Sequence, residues 1–290
     1  MFCNYCGMCR ENFRFLVMGD SRGKKLGINA PVLENLLSNS SKYYPNFMIF
    51  LGDMVSEKPN VSTNLNNWKQ IISKYYPIRS CFPCIGNHEN DETAFNNAFN
   101  YLPNEQLESY GRTVYYFDFQ NSRFIILNSC RRDIHGNYLL EANQLHWLDS
   151  VLQNNTATFS FVALHTPPYP TGSHFKDSLD TLPETRDYFW SIIDKYNVNT
   201  VFCGHEHNYS RRLIDNSFSE NNFIFKNNIF QIISGGAGAP LSNTLISSHN
   251  IVVGPLAVYH YIIVDVSSSE VIFNAYDINN NILDSFKLSK

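Results

Sequence analysis

The chain has 290 residues, 43% hydrophobic, 14% aromatic and only 17% charged, which excludes a disordered polymer and predicts an aromatic-rich core of domain size. A formal net charge of −4 gives no basic field for a polyanion, so extended nucleic acid is excluded as a ligand on electrostatic grounds. No apolar run approaches the roughly 20 residues that span a bilayer, and Met1 to Glu11 lacks the apolar centre of a secretory signal, so the cytoplasm is the expected location.

Cys3, Cys6 and Cys9 stand at C-x-x-C-x-x-C spacing, which suits a soft metal, but no fourth ligand stands nearby. Residues 1–12 are therefore expected to form a flexible cysteine-containing segment ahead of a single domain over 13–290. Phe13 to Met18 reads as a first strand, followed by a helix whose entry is marked by Asn29 and Pro31. Phe47 to Leu51 is a second strand. Asn64 to Tyr75 carries Leu65, Trp68, Ile71, Ile72 and Tyr75 on one helical face, and a third strand runs over Cys81 to Ile85. Cys81 and Cys84 thus fall in a buried strand rather than in the loop before a helix that redox chemistry needs.

Val114 to Phe119 and Arg123 to Asn128 flank Gln120-Asn121-Ser122 as a hairpin, and Glu141 to Leu152 has helical spacing. Thr158 to Leu164 and Thr200 to Cys203 are further buried strands, separated by a helix near Glu184 to Tyr196. After Asn208 the pattern becomes strand after strand, near Ile229 to Ser234, Val258 to Val264, Val271 to Tyr276 and Ile282 to Leu288. This tail is expected to form the second sheet of a sandwich, since no Pro/Gly/Ser-rich linker sets it apart.

Five segments put a metal-competent side chain directly after an apolar strand: Gly19-Asp20, Gly52-Asp53, Gly86-Asn87-His88-Glu89, His165 and Gly204-His205-Glu206-His207. The carboxyl ends of strands in an open α/β sheet face a common crevice, where residues distant in sequence converge. Carboxylate, amide and imidazole donors together suit manganese, iron, zinc or cobalt. Any one of these segments is more simply a turn or a satisfied histidine; five in one chain, each at a strand end, argue for a site. Alternate residues on a strand point to one face, which would place His205 and His207 together.

In this order the segments resemble the calcineurin-like metallophosphoesterase superfamily, whose pattern is Gly-Asp, Gly-Asp, Gly-Asn-His-Asp/Glu, a single His, then Gly-His-x-His. Tyr115-Tyr116-Phe117-Asp118-Phe119, Leu145-His146-Trp147-Leu148, His165-Thr166-Pro167-Pro168-Tyr169 and Ser234 through Leu241 resemble its purple acid phosphatase-like branch. The resemblance implies an α/β (α+β sandwich) fold: two mixed β-sheets flanked by helices, in four αββα layers. It implies two transition metal ions, with Asp53 as the bridging carboxylate, Asp20 and His207 completing one set of ligands, and Asn87, His165 and His205 the other. The activity implied is hydrolysis of a phosphate ester, on a small molecule or a protein, by a hydroxide held between the two metals. His88 would contact the phosphate and protonate the leaving oxygen, with Asn87 also near the substrate, and Glu89 or Asp91 would orient the His88 imidazole.

Two departures qualify that reading. Arg22 stands where the superfamily commonly has a histidine, so the metal held by Asp20 loses a usual donor and a weaker, exchangeable site is expected. A guanidinium there would instead grip a substrate phosphate. Ser56 stands where purple acid phosphatases place a tyrosine, so their charge-transfer colour should be absent. His174, in a loop after a ligand strand, is a further candidate for substrate contact. Two rivals follow: a one-metal protein that binds phosphorylated ligands without turnover, and an interaction module with a vestigial pocket. Substrate choice would lie in loops 90–107, 131–138 and 167–181, and oligomeric state is open.

Overall fold

The computed structural model of the chain describes residues 12–23, 27–57, 60–220 and 222–290, so the expectations for Cys3, Cys6 and Cys9 lie outside the described residues. The first half of the chain alternates strand and helix: β1 (Phe13–Met18), α1 (Ala30–Ser41), β2 (Phe47–Phe50), α2 (Val61–Ile72), β3 (Cys81–Pro83) and α3 (Glu92–Ala98). Each helix start has a local cause. Pro31 lies in the first turn of α1, while Asn60 caps α2 by accepting from the Thr63 amide at 3.0 Å. The α2 side chains Leu65, Trp68 and Ile72 are buried on one face.

A tight hairpin follows, β4 (Tyr115–Phe119) to β5 (Ser122–Ile126), turning through Gln120 at φ 51. Then come α4 (Ala142–Gln153), β6 (Phe159–Leu164), α5 (Pro183–Lys195), β7 (Thr200–Cys203), β8 (Tyr209–Ile214), β9 (Ile229–Ser234), β10 (Ile251–Leu256), β11 (His260–Val266), β12 (Glu270–Asp277) and β13 (Ile282–Ser289). Cys81, Cys84, Cys130 and Cys203 are all buried free thiols, and burial pushes the Cys81 thiol far up, against redox use of Cys81 and Cys84.

The strands form a six-stranded sheet in the order β13-β12-β11-β1-β2-β3 and a seven-stranded sheet in the order β10-β8-β9-β7-β6-β5-β4. Both are mixed: β1, β2 and β3 are parallel, as are β5, β6, β7 and β9, and the remaining pairings are antiparallel. The tail is therefore not the second sheet by itself, which corrects the sequence expectation. Its strands β8 to β10 extend one sheet and β11 to β13 the other, with Phe13 of β1 paired to Val266 of β11. The side-chain pattern of a strand records which faces are buried, not which neighbour its backbone will meet.

Between the sheets lies a layer of rings. Phe15 stacks on Phe47 at 5.4 Å, Phe124 stacks on Phe161 at 5.1 Å, and Phe15 meets Phe124 edge-on at 5.1 Å. Strand alternation then decides the outer layers. Phe124 and Ile126 of β5 face this shared core, whereas Ile125 faces the opposite side with Leu145, Leu148, Trp190 and Ile193 of α4 and α5. Helices α1 to α3 pack on the other sheet in the same cluster as Phe15. The parallel strands of both sheets consequently deliver their carboxyl ends to one edge of the sandwich.

Candidate metal centre

At that edge β1 ends in Asp20, β2 in Asp53, β3 leads to Asn87 and His88, β6 to His165, and β7 to His205 and His207. Asp20, Asp53 and His205 all adopt left-handed backbone, at φ 65, 49 and 69. For residues other than glycine that conformation costs roughly 1–2 kcal/mol, and such outliers cluster where a site over-determines them. His205 and His207 lie in a run of bends after β7 rather than on the strand, so strand alternation is not what aligns them. The neighbouring glycines are required by close approach: a β-carbon at Gly86 would sit 2.1 Å from the Asp53 amide nitrogen.

The structure brings the six expected ligand residues together. Asp20, Asp53 and His165 are fully buried and present ligand atoms within 4.8 Å of one another. His165 Nε2 lies 2.9 Å from Asn87 Oδ1 and 3.4 Å from Asp53 Oδ1. The His205 amide donates to both Asp20 carboxylate oxygens at 3.1 Å, and His207 Nε2 lies 3.6 Å from Asp20 Oδ1. His174 is also at the site: its ring lies 3.9 Å from that of His205, and its Nδ1 is 3.4 Å from Asp177 Oδ2. Asp177, which sequence reasoning did not single out, forms a second cluster of potential ligand atoms with His174 and His205.

The protonation states follow from the partners. His165 Nδ1 contacts the Leu51 carbonyl at 2.7 Å, His205 Nε2 the Asp177 carbonyl at 3.0 Å, and His207 Nδ1 the Pro240 carbonyl at 2.8 Å. A carbonyl only accepts, so each of these nitrogens carries the proton. Burial lowers all three histidines, His207 to about 4, with neighbouring His165 adding to the effect on His205 and Arg22 to that on His207. Each ring is then neutral with one free lone pair, the arrangement by which metal-binding histidines are usually held.

On one side of the centre the lone pair of His165 Nε2, the amide oxygen of Asn87 and Asp53 Oδ1 converge, and the one described donor to them from outside the group is the His88 amide, which reaches Asp53 Oδ1 at 2.9 Å. Acceptors so arranged call for a cation, and the residues present fit one. Burial and the Asp53 charge push the Asp20 carboxyl well up, a penalty that positive charge would relieve. Burial also acts to raise Asp53, but the hydrogen bond from the His88 amide and the Arg22 charge act against it, and its carboxyl is held down. On the other side the positive charge is already present. Arg22 Nε donates to Asp53 Oδ2 at 3.2 Å, and its Nη2 lies 3.5 Å from His207 Nε2.

The surroundings of His88 correct the sequence reading. Its Nδ1 meets Glu57 Oε2 at 2.9 Å, while its Nε2 faces Asp53 Oδ2 at 3.9 Å. Glu89 is fully buried and instead accepts from the amides of Gly86 at 3.0 Å and Met54 at 3.2 Å, tying the loop after β3 to that after β2. Asp91 caps α3 by accepting from the Ala94 amide at 2.9 Å, so the first part of the expected substrate loop over 90–107 is a helix, Glu92–Ala98. Glu57 lies four residues past Asp53, and nothing in its local sequence distinguishes it from an ordinary loop carboxylate. Glu206, between the two histidines, is likewise buried and anchors the loop that carries His174.

Tyr169 and Tyr209 belong to packing. Tyr169 stacks on Trp190 at 5.6 Å, and Tyr209 donates to Asp284 at 2.7 Å beside Arg211. No described helix is long and apolar enough to cross a membrane.

Comparison with known proteins places this geometry. The calcineurin-like phosphoesterase family matches residues 13–209, more than half of the chain and all of the strand ends above. Purple acid phosphatase 21 of Arabidopsis thaliana is 28% identical over 138 residues, covering 43% of this chain and 30% of that protein. Fe(3+)-Zn(2+) purple acid phosphatase 12 of the same plant is 27% identical over 180 residues, covering 57% and 36%. The chain thus spans about a third of the length of the curated relatives it matches. The purple acid phosphatase PPD1 from yellow lupin (Lupinus luteus) seeds superposes with a TM-score of 0.75 over 96% of this chain and 54% of its own, at 16% identity, which shows a shared fold. The chain belongs to the calcineurin-like phosphoesterase family.

Proposed function

We propose that the chain is a metal-dependent phosphoesterase of a single catalytic unit, with Asp20, Asp53, Asn87, His165, His205 and His207 as its metal ligands. The observation that carries the reading is the convergence of His165 Nε2, Asn87 Oδ1 and Asp53 Oδ1, three ligand atoms whose one neighbouring donor among the described contacts is the His88 amide on Asp53, a set that a cation would complete. Bound transition metals would polarise the phosphoryl oxygens and make a water nucleophilic at neutral pH. One relative carries iron and zinc in its name, and the donor set here is compatible with either, as with manganese or cobalt.

The protein groups have separate tasks. Arg22, partly exposed beside Asp53, takes a non-bridging phosphate oxygen through its guanidinium. His88 donates the Nε2 proton to the departing ester oxygen, and Glu57 holds the opposite nitrogen of the ring. His174 stands at the rim, where it contacts the phosphate. Asp53→Asn tests the scheme: metal-dependent hydrolysis of p-nitrophenyl phosphate should collapse, whereas an unaltered rate would defeat it.

A second reading draws support from Arg22. Its contacts to Asp53 and His207 put a fixed positive charge among the ligands of one ion. One tightly bound metal per chain and no metal-dependent turnover would favour a protein that binds phosphorylated ligands.

A further inference from the structure

A cavity of about 570 Å³ shares a wall with the metal centre. It lies among the end of the loop after β1, the start of α1, the loop after β2, and the loop from β9 that reaches Pro240. The shared wall is Arg22, whose guanidinium touches both Asp53 and His207, and Pro240, whose carbonyl holds His207 Nδ1. The remaining wall is apolar, built by Ile28, Pro31 and Tyr259. Two of its polar donors are already engaged: Ser56 Oγ donates to the Gly23 carbonyl at 3.1 Å, and Asn29 Nδ2 to that of Gly238 at 2.6 Å. Among the described lining residues Arg22 alone is charged, and it stands on the side toward Asp53 and His207.

We propose that this cavity receives the organic part of the ester and selects an uncharged aromatic alcohol over a polyhydroxylated one. This rests on the phosphoesterase reading and names its substrate class. The volume falls in the range of small-molecule pockets, and proline and tyrosine faces are good surfaces for a flat ring. A sugar or glycerol moiety would lose water from several hydroxyls and find the Ser56 and Asn29 donors committed to backbone carbonyls. The Arg22 charge fixes which end enters first: the phosphate anion against the guanidinium, the ring outward along Ile28, Pro31 and Tyr259.

The test compares kcat/KM for 2-naphthylmethyl phosphate and glycerol 2-phosphate, both esters of ordinary alcohols, so that leaving-group acidity does not decide the outcome. The manganese-loaded protein should prefer the naphthylmethyl ester by tenfold or more, on the order expected for filling an apolar pocket. Tyr259→Ala should erase most of that preference and Tyr259→Phe should retain it. Binding of the non-hydrolysable 2-naphthylmethyl phosphonate, followed by calorimetry, should weaken in the same order. Equal kcat/KM for the two esters with no effect of Tyr259→Ala overturns the cavity assignment while the phosphoesterase reading stands. Absence of any turnover, with phosphonate binding that still depends on Tyr259, supports the cavity and removes the enzyme.

Discussion

Replacing Glu206 by glutamine tests whether the loop after β6 is held by one buried carboxylate. Oε2 of Glu206 accepts from the Thr171 amide at 2.5 Å and from the Thr171 hydroxyl, while Oε1 accepts from the Gly172 amide at 2.7 Å and the His174 amide at 3.2 Å. Every one of these partners is a donor, and the Glu206 side chain is fully buried. Glutamine keeps the shape but turns one oxygen into an NH₂ group; at the Oε1 position that group orphans the Gly172 and His174 amides, whereas at Oε2 it orphans only the Thr171 amide, since the Thr171 hydroxyl turns to accept from it. At about 1–3 kcal/mol for an unsatisfied buried donor, the less costly placement makes Glu206→Gln cost about 1–3 kcal/mol. The loss should appear in urea unfolding as a lower midpoint. Because the loop carries His174, KM for p-nitrophenyl phosphate should rise as well, with metal content unchanged. A variant with the parental midpoint and KM would refute the anchoring role.

Glu57→Gln preserves the outline of the partner of His88 but removes its charge, and kcat should fall by roughly 10- to 100-fold while metal content and fold are retained; parental kcat would dissociate Glu57 from proton delivery. Arg22→His exchanges a cation for a ligand beside Asp53 and His207, so calorimetric titration should show the weaker manganese site tightening by about tenfold or more. Identical isotherms for parent and variant would exclude Arg22 as a competitor. His260 supplies a pH test away from the metals: it is buried, donates to the Val258 carbonyl and meets Ser234 Oγ at 2.9 Å, and burial lowers it from 6.5 to about 4. The unfolded chain takes up a proton near pH 6.5 that the folded one refuses, so stability falls as pH drops from about 6.5 to 4, by about 3 kcal/mol in all. Subtracting the stability–pH curve of His260→Gln from that of the parent should isolate this slope, and parallel curves would contradict it.

The parallel strands were legible in the sequence because they are largely buried on both faces and read as predominantly apolar runs. Thr200–Cys203 and Ile229–Ser234 are such segments, and their observed limits match the expected ones. Strand β8 was not, because Arg211 and Arg212 interrupt the apolar pattern. Both are nonetheless buried, Arg211 through Asp284 and Arg212 through the carbonyls of Ser247, His249 and Pro170. Charge compensation from segments 35 to 73 residues away cannot be read from a local window. Helix α3 was hidden for a different reason. Its seven residues include two asparagines and a threonine, weak helix formers, and it depends on the Asp91 cap and the burial of Phe95.

For the site, chemistry was legible and geometry was not. Residue type and position at strand ends identified Asp20, Asp53, Asn87, His165, His205 and His207 as a set, because few purposes other than a cation require so many donors at the same edge. The groups that hold them escaped notice because most of the holding is done by backbone. The carbonyls of Leu51, Asp177 and Pro240 fix three histidine tautomers, and their side chains carry no trace of that duty. Where side chains do the holding, as with Glu57, Glu89 and Glu206, the carboxylate reaches across loops that only the fold brings together. The same logic explains why Arg22 is ambiguous in sequence and informative in space. As a residue type it suggests phosphate binding, but its contacts to Asp53 and His207 would also make it a rival to a cation held by those two residues. Substrate grip and metal affinity are then coupled through a single guanidinium: phosphate that draws Arg22 off Asp53 frees that carboxylate for metal, so substrate and the weaker ion should bind with positive cooperativity.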